Sequence, residues 1–527
     1  MFYKSEYYVY DLLIIKGKRK RGDKMDHFHG RDHKLKGNIS KDIKENINYV
    51  KQVMKDCNDL VEKQFQIGIQ HEICLYVVYM DGLADTEMLQ ESVIRPLLID
   101  TFPKERTAID QYVIESADWK WIETMEEAMT DVLAGNTVLF LDGEGRAIRI
   151  SSKKFPTRGV QNADQEVAIV GPKDSFTENL RTNTALIRRR IRDTRLKVLQ
   201  KQVGTRSKTD YALMYIEDLV QKDILNKIQK QMEKICVDGI FDNGMLQQYL
   251  EKDSKTPFPM YQLTQRPDKV ASSIMEGRIA IVLDNSPMVL LLPVTFNVFF
   301  QASDDYYHRW EIATFVRILR YMAAILSIGL PGFYVAIAGF HPEVLPTSFL
   351  LALISAREGV PFPVIVEVLL MELSFELLRE AGIRLPGQLG GTMGVVGGLI
   401  VGQAAVDAHL VSTIVVVVVS LTAIATFSIP NEIFTSAFRL LKFFMIFVCA
   451  VWGLYGFFLG FLAIFIHLFY LETYGVPYAH PMVEEKGRLS TAFQDFMLRY
   501  PLKMMRYRPE FTKEGARIRK KEEKDEK

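Results

Sequence analysis

The sequence predicts a chain in two parts: an α/β soluble region of two tandem, related subdomains, followed by an all-α polytopic membrane domain. Three observations carry this reading. First, residues 311–481 are almost wholly apolar. Residues 321–340 and 410–430 are charge-free runs of 20 and 21 residues, and the 28 residues of 443–470 are broken only by His467. One helical crossing needs about 20 apolar residues. Second, residues 1–310 are charged and mixed, and they contain an internal repeat. Residues 78–89 align with 214–225 at an offset of 136, matching Tyr79 to Tyr215, Leu83 to Leu219 and Leu89 to Leu225; residues 135–142 align with 277–284 at an offset of 142. Matches in the same order at nearly one offset point to a duplicated unit. Third, both copies share one pattern of apolar strand, helix, second helix and hairpin.

The elements follow in order. Residues 1–60 read as a basic, disordered leader, without the apolar core or cleavage site of a secretory signal. Subdomain 1 spans 61–160. Its strand 73–80 leads into a helix over 86–98, a second helix covers 122–133, and strands 137–141 and 147–150 flank Asp142-Gly143-Glu144-Gly145. Subdomain 2 spans 161–300. Strand 211–216 leads into helix 222–237, helix 269–275 follows, and strands 279–283 and 288–292 flank Asp284-Asn285-Ser286-Pro287. Such turn clusters between apolar runs are hairpin signals. Between the copies, Ser175-x-x-Glu178 has the form of a capping box for a helix over 179–191. That helix carries Arg188, Arg189, Arg190 and Arg192 near its end. These arginines are candidates for a subunit or acid contact, or for a solvated basic face. Cys57, Cys74, Cys236 and Cys449 lack zinc or redox spacing, which argues for a reducing compartment. No catalytic motif occurs, so the chain reads as a non-enzyme without cofactor, metal or nucleic-acid partner.

In the membrane part, Pro331 is expected to kink or break its helix, and 341–346 and 357–363 are breaks. Glu372, Glu376 and Glu380 recur every four residues on a helix over 364–382 and share a face. That face suits an interfacial helix in water or the wall of a hydrated cation path; with Glu358, Glu367 and Asp407 it nominates acids at membrane depth, which are costly unless paired or hydrated. Gly390, Gly394, Gly398 and Gly402 form a row that permits close helix packing. Asp407 also fits a loop between spans. Four crossings fit, near 318–340, 389–406, 410–430 and 441–470, with 364–382 interfacial or re-entrant. Residues 482–527 form a basic tail, with nine Lys/Arg against two Glu over 499–521, expected on the cytoplasmic side and solvated or near anionic lipid.

The runs Arg357-Glu-Gly-Val-Pro-Phe-Pro363, Glu367-Val-Leu-Leu-Met-Glu372 and Leu377-Leu-Arg-Glu-Ala-Gly-Ile-Arg-Leu-Pro386, with Gly171-Pro-Lys-Asp-Ser-Phe176, resemble the A subunit of spore germinant receptors, the GerA family. The resemblance covers 165–500 firmly and 60–165 loosely. It implies a receptor in the inner membrane of a bacterial endospore, with the N-terminal domain on the core side. It implies partners too: a transporter-like B subunit, a lipoprotein C subunit, and further copies of the chain in a ring, of which a pentamer is one form. The function expected is a ligand-gated cation channel subunit triggering germination, with Glu358, Glu367, Glu372, Glu376 and Asp407 near the path. A non-conducting scaffold and a secondary transporter are the alternatives.

Overall fold

A computed structural model describes residues 37–67, 73–98, 118–156, 170–251, 255–384, 400–483, 495–509 and 511–519. Subdomain 1 opens with helix α1 (Ile43–Val53) and strands β1 (Leu60–Ile67) and β2 (Ile73–Met80). Three helical pieces, Thr86–Met88, a π-helical Leu89–Ile94 and Arg95–Leu98, follow as α2. Then come β3 (Trp119–Ile122), α3 (Met125–Leu133), β4 (Thr137–Leu141) and β5 (Ala147–Ile150). The antiparallel sheet has the order β1-β2-β4-β5-β3. The inner strands β2 and β4 are apolar on both faces, because α1 and α3 cover one side and α2 the other. At the sheet edge, β1 (Leu-Val-Glu-Lys-Gln-Phe-Gln-Ile) mixes polar and apolar residues, and is partly exposed. Charged residues on an edge strand discourage pairing with another chain.

Subdomain 2 repeats this plan. Helix α4 (Leu180–Arg190) precedes β6 (Leu196–Val203) and β7 (Thr209–Ile216), then α5 (Lys222–Glu233) and α6 (Asn243–Leu250). Strand β8 (Gln262–Thr264), α7 (Pro267–Met275), β9 (Ile279–Leu283) and β10 (Val289–Leu292) complete the order β6-β7-β9-β10-β8. The duplication extends to side chains. Asn46 accepts from the Ser40 amide at 2.9 Å and donates to the Ser40 carbonyl at 2.7 Å. Asn183 treats Thr177 alike, at 2.8 and 2.5 Å. Asp142 accepts from the Ile43 amide and Asp284 from the Leu180 amide, so each hairpin acid meets the start of its copy's first helix.

Two expectations change here. The leader does not run to residue 60: Ile43, Ile47 and Val50 of α1 are buried in the core of subdomain 1, and its apolar spacing is that of an amphipathic helix. Residues 1–36, with the histidine cluster, lie outside the described residues. The cap of α4 is Asn179, whose side chain accepts from the Thr182 amide at 3.0 Å, in place of the expected Ser175–Glu178 box. Asn at this position satisfies a free helix-start amide directly.

The apolar part begins with α8 (Trp310–Phe340), which runs through Pro331 without a break. Gly332 lies so close to the Met445 carbonyl and the Cys449 sulfur that a Cβ would meet both at 3.1 Å. Helices α9 (Thr347–Ala356), α10 (Val364–Arg384), α11 (Thr413–Phe427) and α12 (Glu432–Tyr470) follow, with residues 400–407 also helical. The chain turns at 341–346 and 357–363, as the prolines there require. By length and composition α8 and α12 are long and apolar enough to cross a membrane. The expected span at 410–430 yields the 15-residue α11, about 22 Å long and short of an apolar layer of about 30 Å. Most of 389–406, including Gly390, Gly394 and Gly398, lies outside the described residues.

Helix α12 is not one rod. A straight helix of 39 residues would span about 58 Å. Yet Phe434 near its start and His467 near its end both pack on Phe258, each with ring centroids 6.2 Å apart. The chain reverses at Gly453 (φ 57°, ψ −136°), a conformation for which L side chains are unsuited. Gly456 then faces the Val448 carbonyl and Gly460 the Met445 sulfur, the close approach of two antiparallel arms. The expected single crossing at 441–470 is therefore a helical hairpin.

Residues 495–519 correct the tail expectation. They fold back on subdomain 2 in place of remaining solvated: Phe511 and Ala516 are buried, the Lys513 amide donates to the Leu219 carbonyl at 2.9 Å, and the Thr512 hydroxyl donates to the Glu276 carbonyl at 2.6 Å.

Candidate functional site

Three of the acids of α10, Glu367, Glu372 and Glu376, are drawn into contacts in this arrangement, while Glu380 is exposed. Glu372 is buried and ion-paired with Lys442 of α12, and Glu376 accepts from Arg439 Nη1 at 2.6 Å. The i,i+4 spacing on α10 and the i,i+3 spacing on α12 put each pair on facing helix surfaces. One turn on, Arg379 lies 3.8 Å from Glu432 and over the Phe427 ring. Glu367, fully buried, accepts from the Ser412 amide at 2.9 Å and pairs with Arg357 at 3.1 Å. The expected wall of acids is thus, in this structure, a ladder of matched charges joining α10 to α12 and to two turns, 357–363 and the one at 408–412 ahead of α11. A carboxylate in an apolar layer persists as an ion when a cation and hydrogen bonds replace its water. Glu358 and Asp407 are exposed. Asp407 accepts from Gln403 at 2.9 Å, and Gly359 sits beside His409, so the two turns meet. Gly402 is buried against Val416 of α11, a packing position.

Sequence reasoning missed the partners Lys442, Arg439 and Arg357. Their signal was present: Arg439 and Lys442 are charged residues at the edge of a long apolar run, spaced to share a face.

The four arginines separate. Arg188 is buried and corrects its assignment as a subunit contact: its fork binds Asp59 of subdomain 1, with Nε–Oδ2 and Nη2–Oδ1 both 2.9 Å, and Nη1 donates to the Leu196 carbonyl. It fixes subdomain 1 to subdomain 2, where the Asn58 amide also donates to the Val198 carbonyl, and the Val198 amide to the Asp56 carbonyl. Arg190 pairs with Asp174, and Arg189 lies over the Phe155 ring at 4.8 Å. Arg189 and Arg192 are exposed.

A second charged cluster joins subdomain 2 to the base of α8. Asp305 accepts from Arg320 at 2.7 Å and lies 3.4 Å from Arg317 Nε; Asp495 accepts from Arg317 at 2.7 Å and from the Tyr306 hydroxyl at 2.6 Å. Burial and the neighbouring Asp495 carboxylate push the Tyr306 phenol well above its ordinary pKa, so it remains a neutral donor. Beside this cluster, Phe299 stacks on Phe434 of α12 at 4.8 Å and 9°.

Among known proteins, residues 48–511 match the family model described as Bacillus/Clostridium GerA spore germination protein. The chain is 38% identical over 443 residues to an uncharacterized membrane protein, YfkQ, of Bacillus subtilis, covering 84% of this chain and 86% of that one. It is 37% identical over 484 residues to spore germination protein KA of the same organism, covering 91% and 88%. A crystal structure of the N-terminal domain of the A subunit of the Bacillus megaterium spore germinant receptor GerK3 is 26% identical, aligns with 49% of this chain and 98% of its own, and gives a TM-score of 0.40. With a tandem α/β region, a helical region after it, and a family match across both, this chain belongs to the GerA spore germination protein family.

Proposed function

We propose that this chain is the membrane subunit of a spore germinant receptor and contributes, with further copies and partner subunits, a gated path for cations. The partners are a transporter-like B subunit and a lipoprotein C subunit. The location is the spore inner membrane, with both subdomains and the tail on the core side. In this reading α8, the α9–α10 limb and the two arms of α12 make four crossings, an even number, which agrees with the tail packing on subdomain 2.

The observation that carries the proposal is the charge ladder between α10 and α12. Glu372–Lys442 and Glu376–Arg439 are closed ion pairs, so the arrangement is a shut one. Separating α10 from α12 exposes two carboxylates that attract cations. The turn at 357–363, with Gly359 at φ +87°, is where the backbone can absorb that movement. The scaffold reading draws on the same pairs, which also serve as struts that never open.

Potassium efflux from spores separates the two, with receptor abundance checked by blot. If the acids line the path, Glu372→Gln and Glu376→Gln assemble at normal abundance and release potassium more slowly or with altered selectivity. Lys442→Gln is expected to leak before germinant is added. Normal efflux in all three at normal abundance removes the path from this ladder and leaves the scaffold.

A further inference from the structure

Where subdomain 2, the segment leading into α8 and the folded-back tail meet, they line a partly open cavity of about 190 Å³. It is lined by Gln262 of β8, Arg278 ahead of β9, Ala302 and Tyr306 of the connecting segment, and Leu502 and Arg519 of the tail. Gln262 and Arg278 are 1% and 4% exposed. Neither Gln262 Nε2 nor Arg278 Nε meets an acceptor among the described residues. The nearest carboxylate, Glu276, lies 3.9 Å from Arg278 Nε, and the Gln262–Arg278 hydrogen bond is long, at 3.5 Å. Buried donors without acceptors are rare because each forfeits its hydration. Two of them at one wall of a polar cavity define the ligand's complement: an acceptor group, negatively charged, placed between a guanidinium and an amide.

We propose that this cavity binds a small carboxylate. A guanidinium edge can donate in parallel to a planar carboxylate. The rest of the lining narrows the class. Glu276 and Asp268 also border the cavity. They offer acceptors to a hydroxyl or ammonium group on the same ligand, while Lys269 and Arg519 of the same lining add to the positive charge that draws its carboxylate. A small hydroxy- or amino-monocarboxylate meets both ends. Its position gives it a consequence, since one molecule would touch subdomain 2, the lead-in to α8 and the tail together. Bound ligand therefore holds the tail in its docked place. This site is independent of the cation path.

The test uses the full-length chain purified in detergent, titrated calorimetrically with lactate and with glycine, and with inorganic phosphate at matched ionic strength. Saturable binding of lactate or glycine with none of phosphate is expected. Gln262→Leu removes the amide whose Nε2 meets no acceptor, together with its long bond from Arg278, and is expected to leave the chain folded with a single melting transition while weakening binding at least tenfold. Ala302→Leu fills the cavity without touching either donor and is expected to abolish binding. Absence of carboxylate binding in the folded wild type, phosphate binding as tight as carboxylate binding, or undiminished binding in Ala302→Leu overturns the proposal.

Discussion

The two subdomains share a sheet order, an asparagine clamp and a hairpin acid, yet they do different work. Subdomain 1 packs on subdomain 2 through Asp59, Asn58 and Cys57, and its outer sheet edge is polar. Subdomain 2 is an adaptor. Its core continues from Tyr215 and Ile281 through Phe299 and Phe300 into Phe434, Phe438 and Tyr478, without a boundary at the apolar helices. One ancestral unit thus yields a peripheral copy and a load-transmitting copy. The difference arises outside the shared framework, in the aromatic segment after β10 and in the tail. A movement of subdomain 2 is felt by α8 and α12 directly, while one of subdomain 1 passes first through the Arg188–Asp59 joint.

The largest effect is expected at that joint. Arg188→Leu leaves Asp59 buried without its cation, a loss of about 3–5 kcal/mol, and thermal melts of the full chain should show subdomain 1 separating from the rest. A single melting step at the wild-type temperature would mean that the joint adds nothing. Phe299→Ala removes the ring stacked on Phe434 and is expected to cost about 3–5 kcal/mol. Here subdomain 2 loosens from the apolar helices, so limited proteolysis near 296–310 is the readout; an unchanged cleavage pattern would refute the adaptor role. Asn46→Ala and Asn183→Ala each orphan a backbone pair, at about 1–3 kcal/mol. Similar losses are expected, and a large disparity would show that the copies use the clamp differently.

The smallest effect sharpens the comparison through pH. Helix α2 starts at Asp85, which accepts from the Met88 amide, whereas its counterpart α5 starts at Gln221 with no side-chain capping bond. The Met88 amide and Lys154 hold the Asp85 carboxyl below its ordinary range. A depressed carboxylate contributes stability above its unfolded pKa and loses it as pH falls through the folded one. Asp85→Asn should therefore flatten the acid side of the melting profile of subdomain 1 alone. An unaltered slope would place the acid sensitivity elsewhere.

Much of this was legible in the chain. The inner strands 73–80, 137–141 and 279–283 are near-continuous apolar runs between turn residues, and their buried positions leave little choice of element. The breaks at 341–346 and 357–363 are written by proline. Strands β1, β3, β6 and β8 were not legible, since edge strands mix polar and apolar residues and owe their existence to a neighbour's backbone. The row of acids on α10 was visible, but not its partners. Glu372 and Lys442 are 70 residues apart, and helix period gives a face without saying what it meets. The reversal at Gly453 escaped for a related reason: a glycine in an apolar run is compatible with a continuous helix, and only packing of both arms on Phe258 requires the turn. Local pattern, turn chemistry and duplication were determined by the sequence itself, because they depend on neighbours within a few residues. Charge pairing, the hairpin of α12 and the docking of the tail were decided by the tertiary structure, because burial and electrostatics act between surfaces that the chain brings together only on folding.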